Sequence, residues 1–303
     1  LLLEAHRALG TSLLFLGDLA TAWTHLERGI TLYAAQQHRA LTLRPGGDAG
    51  MACLVYTAWI LWLRGYSDQA LERIRAALAL AQQCQHPFCL TFTLIWAAEL
   101  SQCRREFQAV SMQAETSMTL AHQQEFPLLM AMATVFQGWV LAEQGLEDEG
   151  IEQIRRGIAA FRATGAELLR PHFLGLLAEA YGRSEHTDKG LEALDEALAL
   201  VDRTGERLHE SEFYRLKGQL LLARSMDNHA AAEACFHHAL TIARYHQAKS
   251  LELRAAVHLS RLWQQQGKHD QARHLLGEVY GRLTEGFDTG DLQDAKAILD
   301  ELR

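Results

Sequence analysis

One spacing constrains this chain more than anything else in it. Ala70, Val110, Gly150 and Gly190 lie 40 residues apart, and so do Ile74, Ala114, Ile154 and Leu194. Ala77, Ser117, Gly157 and Ala197 form a third set, and Ala58, Ala98, Gly138 and Ala178 a fourth. Small residues dominate the first, third and fourth sets, and mostly larger apolar ones the second. A fixed period of this length marks an array whose units cannot bury their own apolar faces and must stack on their neighbours. Forward, the register continues through Gly218 and, after two extra residues at Met226–Asn228, through Ala232, Phe236 and Ala239, then Ser260, Ala272, Leu276 and Val279. Backward the step is 48, reaching Gly10, Ala22, Leu26 and Gly29. The added residues fall where Arg44-Pro45-Gly46-Gly47-Asp48-Ala49-Gly50 reads as a loop.

The segment 51–86 shows what one unit contains. Residues 51–63 predict an apolar helix, Arg64-Gly65-Tyr66-Ser67 a turn, and 68–83 a second helix with Leu71, Ile74, Leu78 and Ala81 on one stripe. The turn glycine recurs as Gly17, Gly65, Gly145 and Gly267, where a left-handed residue ends the first helix at little cost. Ser67 or Asp68 is the expected cap of the second helix. Gly157 sits in mid-helix at a cost of about 1 kcal/mol against Ala, so its place in the small-residue register predicts a close helix crossing. Pro87 and Pro127 are expected to stop second helices. The resulting expectation is all-α: a right-handed solenoid of about seven helical hairpins forming one domain over 1–303. Its repeats fall at 1–34, 51–86, 88–126, 128–165, 171–205, 209–247 and 250–284. A capping helix follows at 289–303, with Leu292, Ala295, Leu299 and Leu302 as its apolar stripe and a charged outer face.

Composition narrows the function classes. Four prolines in 303 residues and 49% apolar content suit a large helical core. No run of about 20 apolar residues exists, so no membrane span is expected. A net charge of −8 supplies no basic stripe for phosphates, so no nucleic-acid partner is expected. Five cysteines without a CxxC pair point to reduced thiols and a cytoplasmic location. The 15 histidines form no HExxH and no other metal-ligand spacing, so neither a metal nor a cofactor is expected. Glu147-Asp148-Glu149 reads as the acidic start of a helix rather than a calcium loop. No nucleophile sits in a recognisable catalytic turn, and the chain reads as a non-enzyme.

The order of a small residue, a turn glycine, then small, large and small again resembles the tetratricopeptide hairpin, lengthened from 34 residues to 40 as in superhelical variants of bacterial regulators. Longer segments resemble one bacterial family specifically. They include Leu3-Glu4-Ala5-His6-Arg7-Ala8-Leu9-Gly10, Gly138-Trp139-Val140-Leu141-Ala142-Glu143-Gln144-Gly145, Ala163-Thr164-Gly165-Ala166-Glu167-Leu168, Tyr214-Arg215-Leu216-Lys217-Gly218 and the stretches 248–256 and 285–302. Members of that family carry a predicted P-loop ATPase followed by tetratricopeptide repeats, often with a class III adenylate/guanylate cyclase domain. The resemblance implies that this chain is the C-terminal repeat region of a longer polypeptide. The family's ATPase and cyclase activities do not transfer to these residues, because no G-x-x-x-x-G-K-[ST] loop is present and Gly46-Gly47 lacks the following Lys.

First helices line the inner groove in arrays of this kind. The inward positions are then Arg7, Leu14, Trp59, Trp62, Glu99, Gln102, Trp139, Glu179, Arg215, Gln219, Arg261 and Gln264. Aromatics lie early and in the middle, and Arg lies late, where it is placed to clamp a carboxylate. The functional expectation is a regulatory module that binds a protein segment or its own upstream ATPase or effector module. The alternative is a sensor that takes a metabolite or peptide in the groove.

Overall fold

The computed structural model describes residues 1–37 and 48–302, so positions 44–47 of the expected loop lie outside the described residues. Among the described residues every regular element is helical. The hairpins are α1 (Leu2–Phe15) with α2 (Leu19–Gln37), α3 (Ala49–Leu63) with α4 (Ser67–Cys84), α5 (Pro87–Cys103) with α6 (Phe107–Gln123), and α7 (Pro127–Glu143) with α8 (Glu147–Ala163). They continue with α9 (Arg170–Arg183) and α10 (Thr187–Thr204), α11 (Glu210–Arg224) and α12 (His229–Tyr245), and α13 (Lys249–Gln265) and α14 (His269–Tyr280). Helix α15 (Gly290–Glu301) ends the array. The two extra residues of the sixth unit are taken up by a short 3-10 turn, Met226–Asn228.

The 40-residue period is written into the backbone itself. Left-handed residues end the first helices at Gly65, Arg105, Gly145 and Glu185, and a second series ends the second helices at Gln85, Glu125, Gly165 and Gly205. Pro87 and Pro127 follow the second series and open α5 and α7, so they start the first helices rather than only stopping what precedes them. Ala49 and Gly50 belong to α3 and not to the expected loop. Asp48 caps that helix by accepting the Met51 N–H at 2.9 Å, and the Tyr33 hydroxyl donates to its other oxygen at 2.8 Å.

Each second helix buries one stripe, as α4 does with Ala70, Ile74, Ala77 and Ala81. The central first helices α3, α5, α7 and α9 are buried almost all round, because they pack on their own partner and on both neighbouring units, and α3 also meets α13 across the array. The closest hairpin is α7 with α8. A Cβ added at Gly150 would stand 2.6 Å from the Ala142 nitrogen and the Gly138 oxygen, and one at Gly157 2.6 Å from Val135 Cγ2. The crossing expected at Gly157 is present.

The array closes on itself, and this decides where the site lies. The turns that follow α1, α3 and α5 meet the segments around α13 and α15. His246 Nδ1 lies 2.7 Å from the Gly17 carbonyl, the Ser250 hydroxyl donates to the Trp62 carbonyl at 2.5 Å, and the Arg207 N–H to the Phe15 carbonyl at 2.8 Å. Helix α4 is capped from across this seam: Glu285 accepts the N–H groups of Asp68 and Gln69 at 2.9 and 3.0 Å, and Asp68 accepts the Gly286 N–H at 3.1 Å. The expected cap by Ser67 or Asp68 is replaced by this one, since the chain returns there with a carboxylate. In α15 the buried stripe is Leu292, Ala295, Ile298 and Leu302, with Ile298 in place of Leu299.

Candidate functional site

Closure turns the expected groove into a partly open cleft of about 200 Å³. It is lined by the inner ends of α5, α7, α9, α11 and α13, by Arg105 and Phe107 after α5, and by Asp291 and Asp294 of α15. Five guanidinium groups (Arg105, Arg183, Arg215, Arg254, Arg261) face five carboxylates (Glu143, Glu179, Glu212, Asp291, Asp294). Arg254 bridges Asp291 at 2.7 Å and Glu212 at 3.2 Å, and Arg215 holds Glu212 at 2.6 Å. Arg105 pairs with Asp294 at 2.8 Å, and Arg183 pairs with Glu143. Trp139 stacks on Phe107 and donates its indole N–H to Glu179 at 3.0 Å.

The environment separates these carboxylates in acidity. Burial, with Glu179 nearby, pushes the Glu143 carboxyl up to about 7. Glu212 is desolvated too, but Arg215 and Arg254 overcome that and hold it down at about 2. His258 is kept neutral by burial and by Arg215, which lies 2.9 Å from its Nε2. At the mouth Arg183 and Arg261 are 42% and 45% exposed; Arg183 is held by Glu143, and Arg261 stands 3.9 Å from Asp294.

Of the inward positions read from the sequence, the structure brings Gln102, Trp139, Glu179, Arg215, Gln219 and Arg261 together around this cleft. Trp62 lines a small cavity of about 30 Å³ that shares Gln102, Glu179, Glu212 and Arg254 with the cleft, and its ring lies under the Arg254 guanidinium at 5.1 Å. The others sit elsewhere. Trp59 is sealed among Phe15, Trp96 and His209. Arg7 pairs with Glu4 on α1, Gln264 donates to Glu301 near the C-terminus, and Leu14 is core. Arg215 does not stand free as a clamp, because it is already held by Glu212 and Gln219. The acidic contribution of α15 was not legible, since its charged face read as an outer one.

Glu99 is fully buried, and the fold places it against two histidines that no motif joins to it. Its Oε1 lies 3.5 Å from His172 Nε2 and 3.8 Å from His209 Nε2, and the two imidazoles stack at 4.1 Å. Burial, with Glu206 nearby, holds the Glu99 carboxyl well above the usual range, and burial drops His209 to about 4. His172 and His209 also line the small cavity beside Trp62.

No family model matches the chain. An uncharacterized protein of Rhizobium meliloti (strain 1021) is 25% identical over 234 residues, which are 76% of this chain and 22% of that protein. The chain therefore spans about a fifth of that relative's length. Among solved structures, a Rap protein complexed with Competence and Sporulation Factor is similar over 99% of this chain and 80% of its own, with a TM-score of 0.66 and 13% identity. NprR in complex with its cognate peptide NprX is similar over 99% and 82%, with a TM-score of 0.61 and 10% identity. A tetratricopeptide repeat protein of Parabacteroides merdae is similar over 99% and 98%, with a TM-score of 0.51 and 14% identity. The fold is a tetratricopeptide-like helical solenoid. Identities this low speak for the fold alone. No helix among the described residues is long and apolar enough to cross a membrane.

Proposed function

We propose that this chain is a non-catalytic interaction module that takes a short peptide or protein segment in its charged cleft. The segment comes from a partner protein or from an upstream part of the same longer polypeptide. The observation that carries this reading is the cleft lining: five guanidiniums and five carboxylates converge with Trp139 and Phe107 inside a closed array. Such a lining offers bidentate partners to a carboxylate, acceptors to an amine and a flat surface to a side chain. Two proteins of similar fold, the Rap protein and NprR, have been crystallised with Competence and Sporulation Factor and with the peptide NprX, which supports a peptide ligand by analogy of fold.

The cleft is smaller than the roughly 300–1,000 Å³ that holds a drug-sized molecule, so the closed array admits a terminus or a side chain. A longer segment enters when the seam parts. A ligand that prefers the parted state shifts the array toward it and relays binding to neighbouring domains. An upstream ATPase or cyclase module is the receiving element that the family resemblance implies. The small volume also favours a second reading, a zwitterionic metabolite bound in the same place. The mixed charge of the cleft supplies no basic track for a nucleic acid.

The test selects short peptides from a random library on the immobilised full chain and titrates the winners in solution. Arg183→Ala and Arg261→Ala together are expected to weaken them about tenfold or more, as loss of charge-assisted hydrogen bonds requires. Tyr245→Ala, on an outer face that is 83% exposed, is expected to leave binding unchanged. Peptides that bind the double variant as tightly as the parent chain contradict the proposal. A metabolite that competes for the same arginines when no peptide is selected establishes the second reading instead.

A further inference from the structure

Glu99 on α5, His172 on α9 and His209 just before α11 come from three different units and meet inside the closed array. One ligand atom from each lies within 4.8 Å of the others, and all three residues are buried. Neither Glu99 oxygen nor His172 Nε2 finds a hydrogen-bond partner among the described residues. Three unsatisfied polar atoms at one point are costly in a protein interior, where nearly every buried polar atom is paired. We propose that this cluster is a binding site for one divalent transition-metal ion of borderline softness, with zinc the leading candidate.

The geometry suits such an ion. Tetrahedral zinc with bonds of about 2.0–2.1 Å to nitrogen and oxygen sets neighbouring ligand atoms about 3.3–3.4 Å apart. The Glu99 oxygen stands 3.5 and 3.8 Å from the two imidazole nitrogens, and the stacked rings must turn out of their 4.1 Å stack for both nitrogens to face one ion. One carboxylate and two imidazoles are ligands of intermediate hardness, which suit zinc, cobalt or iron rather than calcium or magnesium. Both histidines line a small neighbouring cavity of about 30 Å³, which has room for a water as a further ligand and not for a side chain. Because its ligands come from the third, fifth and sixth hairpins, the ion cross-braces the array where closure brings them together. Another histidine pair, His6 and His25, meets at 3.0 Å on the first hairpin. No third ligand joins that pair among the described residues.

The experiment uses the full chain, stripped with a chelator and titrated with Co²⁺ alone, then with Zn²⁺ in competition. The expected result is one equivalent of Co²⁺ with the visible absorption of a tetrahedral site, displaced by Zn²⁺, and an unfolding temperature raised by Zn²⁺. Glu99→Gln and His209→Asn, each checked for native helix content, should weaken binding by about tenfold or more. Even a lost outer-shell partner costs a metal site about that much. His25→Ala should retain the site. Absence of a one-equivalent site in the unmutated chain overturns the proposal whatever the variants do. So does binding that survives both cluster variants, or that disappears with His25→Ala.

Discussion

Gly65 and Gly145 hold the same register position and nearly the same backbone, with φ of 86° and 85°, yet their surroundings differ completely. A Cβ on Gly65 would stand 2.5 Å from Leu283 across the seam, whereas one on Gly145 would meet nothing within 4 Å. Both alanine variants bear the left-handed backbone cost of about 1–2 kcal/mol, and only Gly65→Ala adds a wedge against Leu283. Gly65→Ala is therefore expected to lower the thermal midpoint more than Gly145→Ala, and equal losses would show that Leu283 does not press on this turn. The turn glycines were legible from their period. The difference between them was not, because Leu283 lies more than 200 positions further along the chain. Glu206 gives a second test at this scale. Burial pushes its carboxyl up from 4.5 to about 7, so the folded state binds its proton more tightly than the unfolded state. Stability from this group is present below about 4.5, falls as pH rises to about 7, and is flat above that. Urea unfolding of Glu206→Gln is expected to show greater stability than the parent above about pH 7, with the gain fading toward pH 4.5. A gain that does not vary with pH would contradict the assignment.

Helices and their partners were the most legible part of the molecule, because small residues in a fixed register record where two helices touch. In α7 and α8 the contact is backbone on backbone, with Gly150 facing Ala142 and Gly138 too closely for any Cβ. Gly150→Ala is expected to destabilise by about 1–3 kcal/mol, as overpacking does, despite the gain in helix propensity. A urea midpoint unchanged or raised would show that the hairpin relaxes freely. Helix α15 marks the limit of such reading. Its apolar stripe was visible, and Asp291 meets Arg254 on the adjacent α13, but Asp294 reaches Arg105 only because the array curls back on itself. The same curl buries Glu99 and Trp59, which the register had placed on an open groove, and it creates the Glu99–His172–His209 cluster without any motif in the chain.

At the scale of the whole molecule, closure makes the cleft, and closure depends on small rotations between hairpins that no local pattern encodes. The contacts that fasten it join residues 188 to 229 positions apart, and many are polar. Apolar side chains meet there as well, with Leu19 and Leu63 against Leu208, Ala248 and Leu251, so a segment that parts the seam must itself cover apolar surface. The amides of Asp68 and Gln69 report the seam directly. They sit in the first turn of α4, where N–H groups are normally left to solvent, and Glu285 holds both. Helix α8 begins at the same register without any side-chain cap and serves as an internal control. Amide hydrogen exchange of the full chain should show Asp68 and Gln69 protected well beyond Asp148 and Glu149, with that protection lost in Glu285→Ala while the rest of α4 is unaffected. Equal exchange at the two helix starts in the unmutated chain would contradict a closed array and the cleft that rests on it.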